Sequence, residues 1–322
     1  MPAPLRWGIL GTASICERMI PAILRHRTST LAAVASRDPV RGRDFASKYG
    51  IAMSFDSYHD MISSGLVDAI YNPLPNALHG EWTVRSLQAG LHVLCEKPLT
   101  VDAQQARQIA SAASAAGCVV CEAFMYRHHP VYDAILDQVY SGVIGNVISL
   151  DSHFSFLLDD PESVVASHTL GGGALLDVGC YCVSFSRLIA GCEPVRVGAF
   201  ATGSPVDESI AGILQFPNGI AARFHASIKG AERHMAEIHG TTGTLLLESP
   251  WHPGDREAVY RVQRHGREDE IVRIPGEDPY YLQVKDFAAA CTGRLKPSWG
   301  IEDAIANMRV LDALRQAAER GH

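Results

Sequence analysis

The fold is decided by the first stretch of the chain, Leu5-Arg6-Trp7-Gly8-Ile9-Leu10-Gly11-Thr12-Ala13-Ser14-Ile15-Cys16. Leu5 to Leu10 reads as a buried strand, and Gly11 opens a tight turn into a helical stretch that runs to about Arg25. A strand, a glycine turn and a helix N-terminus make an anion cradle, because unpaired N–H groups and the helix dipole point at one spot. In a doubly wound α/β sheet that spot takes the pyrophosphate of a dinucleotide. Gly11 holds the first glycine position of the usual fingerprint, while Ala13 and Cys16 stand at the second and third. Cofactor contacts are therefore expected from Gly11, Thr12, Ala13, Ser14 and Ile15.

Working outward, Leu31 to Ala35 is a second strand that ends in Ser36-Arg37-Asp38, where this kind of fold meets the adenosine ribose. A carboxylate there accepts from a free 2′-hydroxyl and repels a 2′-phosphate; a hydroxyl followed by a guanidinium does the reverse. Ser36 and Arg37 favour NADP over NAD, with Asp38 able to turn back to the ribose. Val67 to Asn72 is another strand, and it ends in Pro73-Leu74-Pro75-Asn76-Ala77-Leu78-His79. Its two prolines hold a defined loop at the same sheet edge. Asn76 can cap the next helix, and His79 in the first turn of that helix points to the cofactor side. Leu91 to Cys95 then delivers Glu96-Lys97-Pro98 to the carboxyl end of a strand, where open α/β sheets bind their ligands. A capped alanine-rich helix to about Ala116 and a strand at Cys118 to Glu122 follow. Residues 1–123 are expected to form an α/β Rossmann domain with a doubly wound parallel sheet.

Phe124-Met125-Tyr126-Arg127-His128-His129-Pro130 breaks this rhythm and marks a boundary. In residues 124–322, strands are expected at Asn146 to Phe156, Arg196 to Thr202, Ser209 to Phe216, Ile220 to Ser227, Met235 to His239, Thr244 to Glu248, Val259 to Gln263 and Glu270 to Ile274. They describe an α+β domain with a large, mostly antiparallel open-faced sheet, followed by helices at about Tyr281 to Cys291 and Ile301 to Ala317. One helix interrupts the strands. It opens at Gly171-Gly172-Gly173, runs to about Ala190, and carries Asp177 and Tyr181 four residues apart, hence on one face.

The 322 residues are 47% hydrophobic and 20% charged, enough for a large core in two domains. A net charge of −7 without long charged blocks offers no footprint for nucleic acid or an anionic membrane. No apolar stretch reads as long enough to span a bilayer, and no signal peptide is evident. The eight cysteines lie mostly in apolar surroundings, as reduced thiols of a cytoplasmic protein do. No metal site is expected: Cys118 and Cys121 bracket strand residues without a second pair at zinc spacing, and His128 and His129 are adjacent.

Five segments, Gly8-Ile9-Leu10-Gly11-Thr12-Ala13, Pro75-Asn76-Ala77-Leu78-His79, Glu96-Lys97-Pro98, Glu122-Ala123-Phe124-Met125-Tyr126-Arg127 with Pro130, and Gly172-Gly173-Ala174-Leu175-Leu176-Asp177-Val178-Gly179-Cys180-Tyr181, carry a resemblance over essentially the whole length. In this order they resemble the glucose-fructose oxidoreductase, inositol dehydrogenase and rhizopine catabolism family, Gfo/Idh/MocA. The Phe-Met-Tyr-Arg segment, Ser36-Arg37 and Tyr181 look most like its dimeric dihydrodiol dehydrogenase and NADP-dependent D-xylose dehydrogenase branch. The resemblance implies NADP held also by Leu74, Pro75, Asn76, His79, Glu96, Lys97 and Arg127, a cis peptide before Pro98, and a homodimer or higher homo-oligomer formed through the C-terminal sheet.

Oxidising a secondary alcohol needs a base within hydrogen-bond reach of the hydroxyl as the hydride leaves. A phenol titrates near ~10 and a lysine near ~10.4, so neither serves alone at neutral pH. An ammonium beside a phenol favours the phenolate. Tyr181 is expected to exchange the proton, Lys97 to bond the substrate oxygen, Asp177 to orient a neighbouring hydroxyl, and Glu96 to position Lys97 or the nicotinamide ribose. The expected activity is hydride transfer between NADP and a secondary alcohol of a sugar or cyclic diol. Two rivals are a non-catalytic dinucleotide-binding regulatory protein, which needs none of Lys97, Asp177 and Tyr181, and an NAD-assisted glycosidase, which cleaves a glycoside without net cofactor reduction.

Overall fold

The computed structural model describes residues 3–321. Its first sheet holds β1 (Leu5–Leu10), β2 (Ser29–Ala35), β3 (Met53–Phe55), β4 (Ala69–Asn72), β5 (His92–Cys95) and β6 (Val120–Glu122), all parallel, in the order β3-β2-β1-β4-β5-β6. Helices α1 (Cys16–Arg25), α2 (Pro39–Tyr49), α3 (Tyr58–Ile62), α4 (Asn76–Gln88) and α5 (Ala103–Ala116) alternate with the strands. This is the doubly wound order, whose switch point lies between β1 and β4. Local chemistry sets the boundaries: Asp38 and Asp102 cap α2 and α5, and left-handed Gly50 and Gly117 end them.

The second sheet has eight strands, β7 (Val147–Leu157), β8 (Arg196–Thr202), β9 (Ser209–Gln215), β10 (Ala221–Ser227), β11 (Lys229–Gly240), β12 (Gly243–Leu247), β13 (Ala258–Arg264) and β14 (Glu270–Ile274). Their order is β14-β13-β12-β11-β7-β10-β9-β8, antiparallel throughout except for the β7–β10 pair. β11 is longer than the reading from Met235, since it enters through an irregular register between Lys229 and Arg233. Alternation gives the sheet one buried face, with Leu150, Phe154, Ile210, Leu214, Ala222, Phe224, Ala236 and Ile238. The helices here are α6 (Pro130–Tyr140) and α7 (Cys180–Ala190), followed by α8 (Pro279–Cys291) and α9 (Ile301–Arg320).

Two compact units result, one running to Met125 and taking in Tyr280–Ile305, the other Tyr126–Pro279 with the chain from Ala306. Trp7 explains why α8 joins the first unit. Its ring is fully buried, donates Nε1–H to Ser29 Oγ at 3.0 Å, and packs on Phe287 of α8 with centroids 5.1 Å apart. Val284, Phe287 and Ala288 thereby join the core made by β1 and α1. One expectation is corrected. Among the described residues, His168–Ala190 is apolar and long enough by length and composition to cross a bilayer, and its apolar window is almost wholly buried, as in the core helix of a globular fold.

Candidate active site

At the carboxyl edge of the first sheet, Gly11 has φ +81°, and its N–H donates to Ala35 O at 2.7 Å. A Cβ there would sit 3.1 Å from Leu74 Cδ2, so the turn needs glycine for its conformation and for its approach to the loop after β4. α1 begins without a side-chain cap, and the turn through Thr12, Ala13, Ser14 and Ile15 closes with Cys16 N–H donating to Ala13 O at 3.1 Å. Cys16 packs in the core, and burial, with Glu96 nearby, pushes its thiol up to about 12.

The end of β2 separates the roles of its polar residues. Ser36 is buried and accepts from Asp38 N–H at 3.2 Å, and Arg37 is exposed. Asp38 does not turn back: its Oδ1 accepts the N–H groups of Val40 at 2.9 Å and Arg41 at 3.1 Å, as the cap of α2. Arg41, which the sequence reading missed, donates from Nη2 to Thr12 O at 3.2 Å and so brings a guanidinium to the glycine turn. Its only advance signal was its place one turn into the helix after Asp38.

Between β4 and α4 the loop is locked from inside. Asn72 Nδ2 donates to Thr83 Oγ1 at 3.1 Å, and its Oδ1 accepts Leu74 N–H at 3.3 Å. Asn76 is the first residue of α4 rather than its cap; the cap position is Pro75, whose side chain accepts nothing. His79 is fully buried, with Nδ1 2.8 Å from Pro98 O and Nε2 2.6 Å from Leu74 O. Both ring nitrogens face backbone carbonyls, so the ring braces the loop against the turn that carries Lys97 instead of presenting a nitrogen to a ligand. Burial lowers its pKa to about 4, outweighing the two carbonyls, which favour the protonated ring.

The Lys97–Pro98 peptide is cis. Glu96 receives the Tyr71 hydroxyl on Oε1 at 2.6 Å, and its N–H donates to Asn72 O at 3.0 Å. Burial raises its pKa, while the Tyr71 bond and the charge of Lys97 oppose that rise. Leu99 N–H donates to Glu122 Oε1 at 2.7 Å, tying the turn to β6. Burial also raises the thiols of Cys118 and Cys121, so both stay protonated and unreactive at neutral pH.

In the second unit the chain reaches α7 through a π-helical turn, Leu175–Gly179, which holds Asp177; Tyr181 follows in the first turn of α7. Such turns are frequent at functional sites. The preceding glycines have a local cause. A Cβ on Gly172 would strike the Val165 carbonyl, and one on Gly173, at φ +108°, would strike the Asp207 carboxylate. Asp207 Oδ2 accepts Leu175 N–H at 2.6 Å and fixes where the turn starts. The Tyr181 ring lies 5.3 Å from Phe154 and 5.7 Å from Tyr126, whose hydroxyl bonds Ser184 Oγ at 2.8 Å. Trp251 stacks on Phe154 at 5.9 Å and closes this aromatic wall. Arg127 is buried, and its charge lowers the pKa of Tyr132, which burial raises.

On the outer face of the second sheet, His239 Nε2 lies 3.0 Å from Asp151 Oδ2 and 3.2 Å from Glu237 Oε2. The three could hold a cation by distance alone, but Arg223 already pairs with Asp151. We read the group as an ion-pair cluster.

Residues 5–124 match the Gfo/Idh/MocA model described as an oxidoreductase family with an NAD-binding Rossmann fold, and residues 132–246 match the C-terminal domain of the same family. An uncharacterized oxidoreductase of Rhizobium meliloti is 36% identical over 99% of this chain and 98% of its own length. The chain belongs to the Gfo/Idh/MocA oxidoreductase family. Another relative, the D-xylose 1-dehydrogenase (NADP(+)) 2 of Haloferax volcanii, is 34% identical over 98% of both chains. A solved 3-ketoreductase of Actinomadura kijaniata, in complex with NADP and TDP-benzene, superimposes with a TM-score of 0.92 at 30% identity, covering 98% of each chain.

Proposed function

We propose that this Gfo/Idh/MocA member transfers a hydride between NADP and a secondary alcohol of a sugar or cyclic diol. The observation that carries the cofactor preference is the end of β2: Asp38 is spent on capping α2, while Arg37, Arg41 and the Ser36 hydroxyl remain around the position of the ribose. A free 2′-hydroxyl gains nothing from that set, whereas a 2′-phosphate gains two guanidinium groups. Gly11 through Ile15 would hold the pyrophosphate, with Leu74, Pro75 and Asn76 beside them. Residues 1–123 bind the dinucleotide in this reading, and residues 124–322 supply the substrate side and a homodimer interface. Phe200 and Ile213, 66% and 63% exposed on the outer face of the second sheet, support that interface.

The bound nicotinamide supplies the hydride acceptor or donor. Lys97 polarises the substrate oxygen, and Glu96, anchored by Tyr71, keeps the Lys97 backbone in place. Tyr181 exchanges the hydroxyl proton, and Asp177 orients the adjacent hydroxyl. The xylose dehydrogenase relative supports a monosaccharide and the ketoreductase a nucleotide-linked keto sugar. Nicotinamide absorbance should be followed with NADP and NAD against xylose, glucose, trans-dihydrodiols and a 3-keto sugar. Tyr181→Phe and Lys97→Met should each lower kcat by about a hundredfold or more, with NADP affinity changed less. Full turnover in both variants removes this assignment.

A further inference from the structure

We propose that the first unit carries a second anion site, at the sheet edge opposite the glycine turn, that takes a small phosphorylated molecule. The end of α1 and the loop to β2 supply Arg25, His26, Arg27 and Thr28, and α8 with the turn after it supplies Tyr281, Lys285 and Arg294. Together they line a cavity of about 460 Å³, a size that suits a small ligand. The lining holds four permanent cations and no carboxylate. No ion pair among the described residues engages Arg27, Lys285 or Arg294.

A cation at the C-terminal end of a helix is ordinary, because it offsets the dipole, and Arg25 serves α1 in that way. Three more cations, gathered from separate elements without a counter-charge, need a different reason. Like charges repel, and a chain with net charge −7 has carboxylates to spare for neutralising them. A ligand with two or more negative charges removes the repulsion.

Two further features are built rather than incidental. The Arg25 guanidinium lies 4.0 Å from the Tyr281 ring centroid, which holds its plane. His26 is set by a relay from the core: Trp7 Nε1 donates to Ser29 Oγ at 3.0 Å, and Ser29 Oγ lies 2.9 Å from His26 Nδ1. With Trp7 already donating to it and no other acceptor bonded to it among the described residues, the Ser29 hydroxyl gives its proton to Nδ1. The ring then carries its own proton on Nε2, as a neutral donor. Burial first, then the charges of Lys285 and Arg294, lower the pKa of His26 and keep it neutral. Guanidinium groups that bond phosphate oxygens in pairs, one ammonium and one imidazole N–H suit a phosphate monoester or pyrophosphate.

The test uses full-length protein saturated with NADP, so that the dinucleotide cradle is filled, and isothermal titration with pyrophosphate and with inorganic phosphate at physiological ionic strength. One pyrophosphate per chain is expected, bound more tightly than phosphate. The double variant Lys285→Glu/Arg294→Glu should weaken it by about tenfold or more, whereas Arg37→Ala/Arg41→Ala should leave it unchanged. Arg27→Gln provides a milder second probe, and an unchanged thermal midpoint shows that each variant is folded. Absence of saturable heat from the parent protein, binding that survives the charge reversal, or loss of binding in Arg37→Ala/Arg41→Ala would each overturn the assignment.

Discussion

Protonating His79 should loosen the segment that carries Lys97, and the size of the effect follows from its surroundings. The ring is fully buried, and its pKa falls from 6.5 to about 4 on folding. Between those values the folded protein binds fewer protons than the unfolded chain. The stability it contributes is therefore complete above about pH 6.5 and is lost as the pH falls toward 4. At pH 5 the unfolded ring is almost fully protonated and the folded one hardly at all, which removes about 2 kcal/mol relative to pH 7.5. Other histidines titrate in the same range, so the informative quantity is a difference between proteins. His79→Gln keeps a donor but does not titrate. Urea unfolding at pH 7.5 and pH 5, read by amide exchange in β4 and β5, should show the parent losing about 2 kcal/mol more than His79→Gln. Equal losses would mean that burial does not govern this ring. A greater loss in His79→Gln would mean that the carbonyls of Leu74 and Pro98, 2.6 and 2.8 Å away, hold it as imidazolium.

Gly173→Ala should destabilise the second unit by about 2–5 kcal/mol, because the residue has φ +108° and its Cβ would strike the Asp207 carboxylate; chemical denaturation measures this, and a loss below about 0.5 kcal/mol contradicts the packing described. Arg41→Ala should weaken NADP binding by about tenfold or more and leave NAD binding nearly unchanged, as read by fluorescence titration, since only the 2′-phosphate needs a second guanidinium. An equal loss for both cofactors would place Arg41 at the pyrophosphate. Tyr71→Phe removes the donor to Glu96 Oε1, so the raised pKa of Glu96 should rise further and the acid limb of the kcat profile should move to higher pH. A profile identical to that of the parent would exclude Glu96 from setting that limb.

Much of the candidate site was legible because it rests on backbone rules. A glycine after an apolar strand, two prolines closing a loop and a charged triplet at a strand end each mark the carboxyl edge of a parallel sheet whatever surrounds them. Assigning roles was harder. His79 reads as a polar residue in a first helical turn, and only the packed fold shows both of its nitrogens facing carbonyls. Asp38 reads as a residue able to turn back to the ribose, and only the geometry of α2 makes it a cap instead. The aromatic wall of Tyr126, Phe154 and Trp251 around Tyr181 draws on segments far apart in the chain, beyond the reach of any local pattern.

The sequence by itself determined which elements form and in what alternation, because hydrophobic period, caps and turn residues act over a few residues. Tertiary structure alone decided that α8 returns to cover Trp7 in the first unit, and that Arg41 reaches Thr12. It also decided that the glycines before α7 make room for Val165 and Asp207. Each of these depends on side chains brought together from distant positions, and such contacts exist only once the apolar faces have been buried against one another.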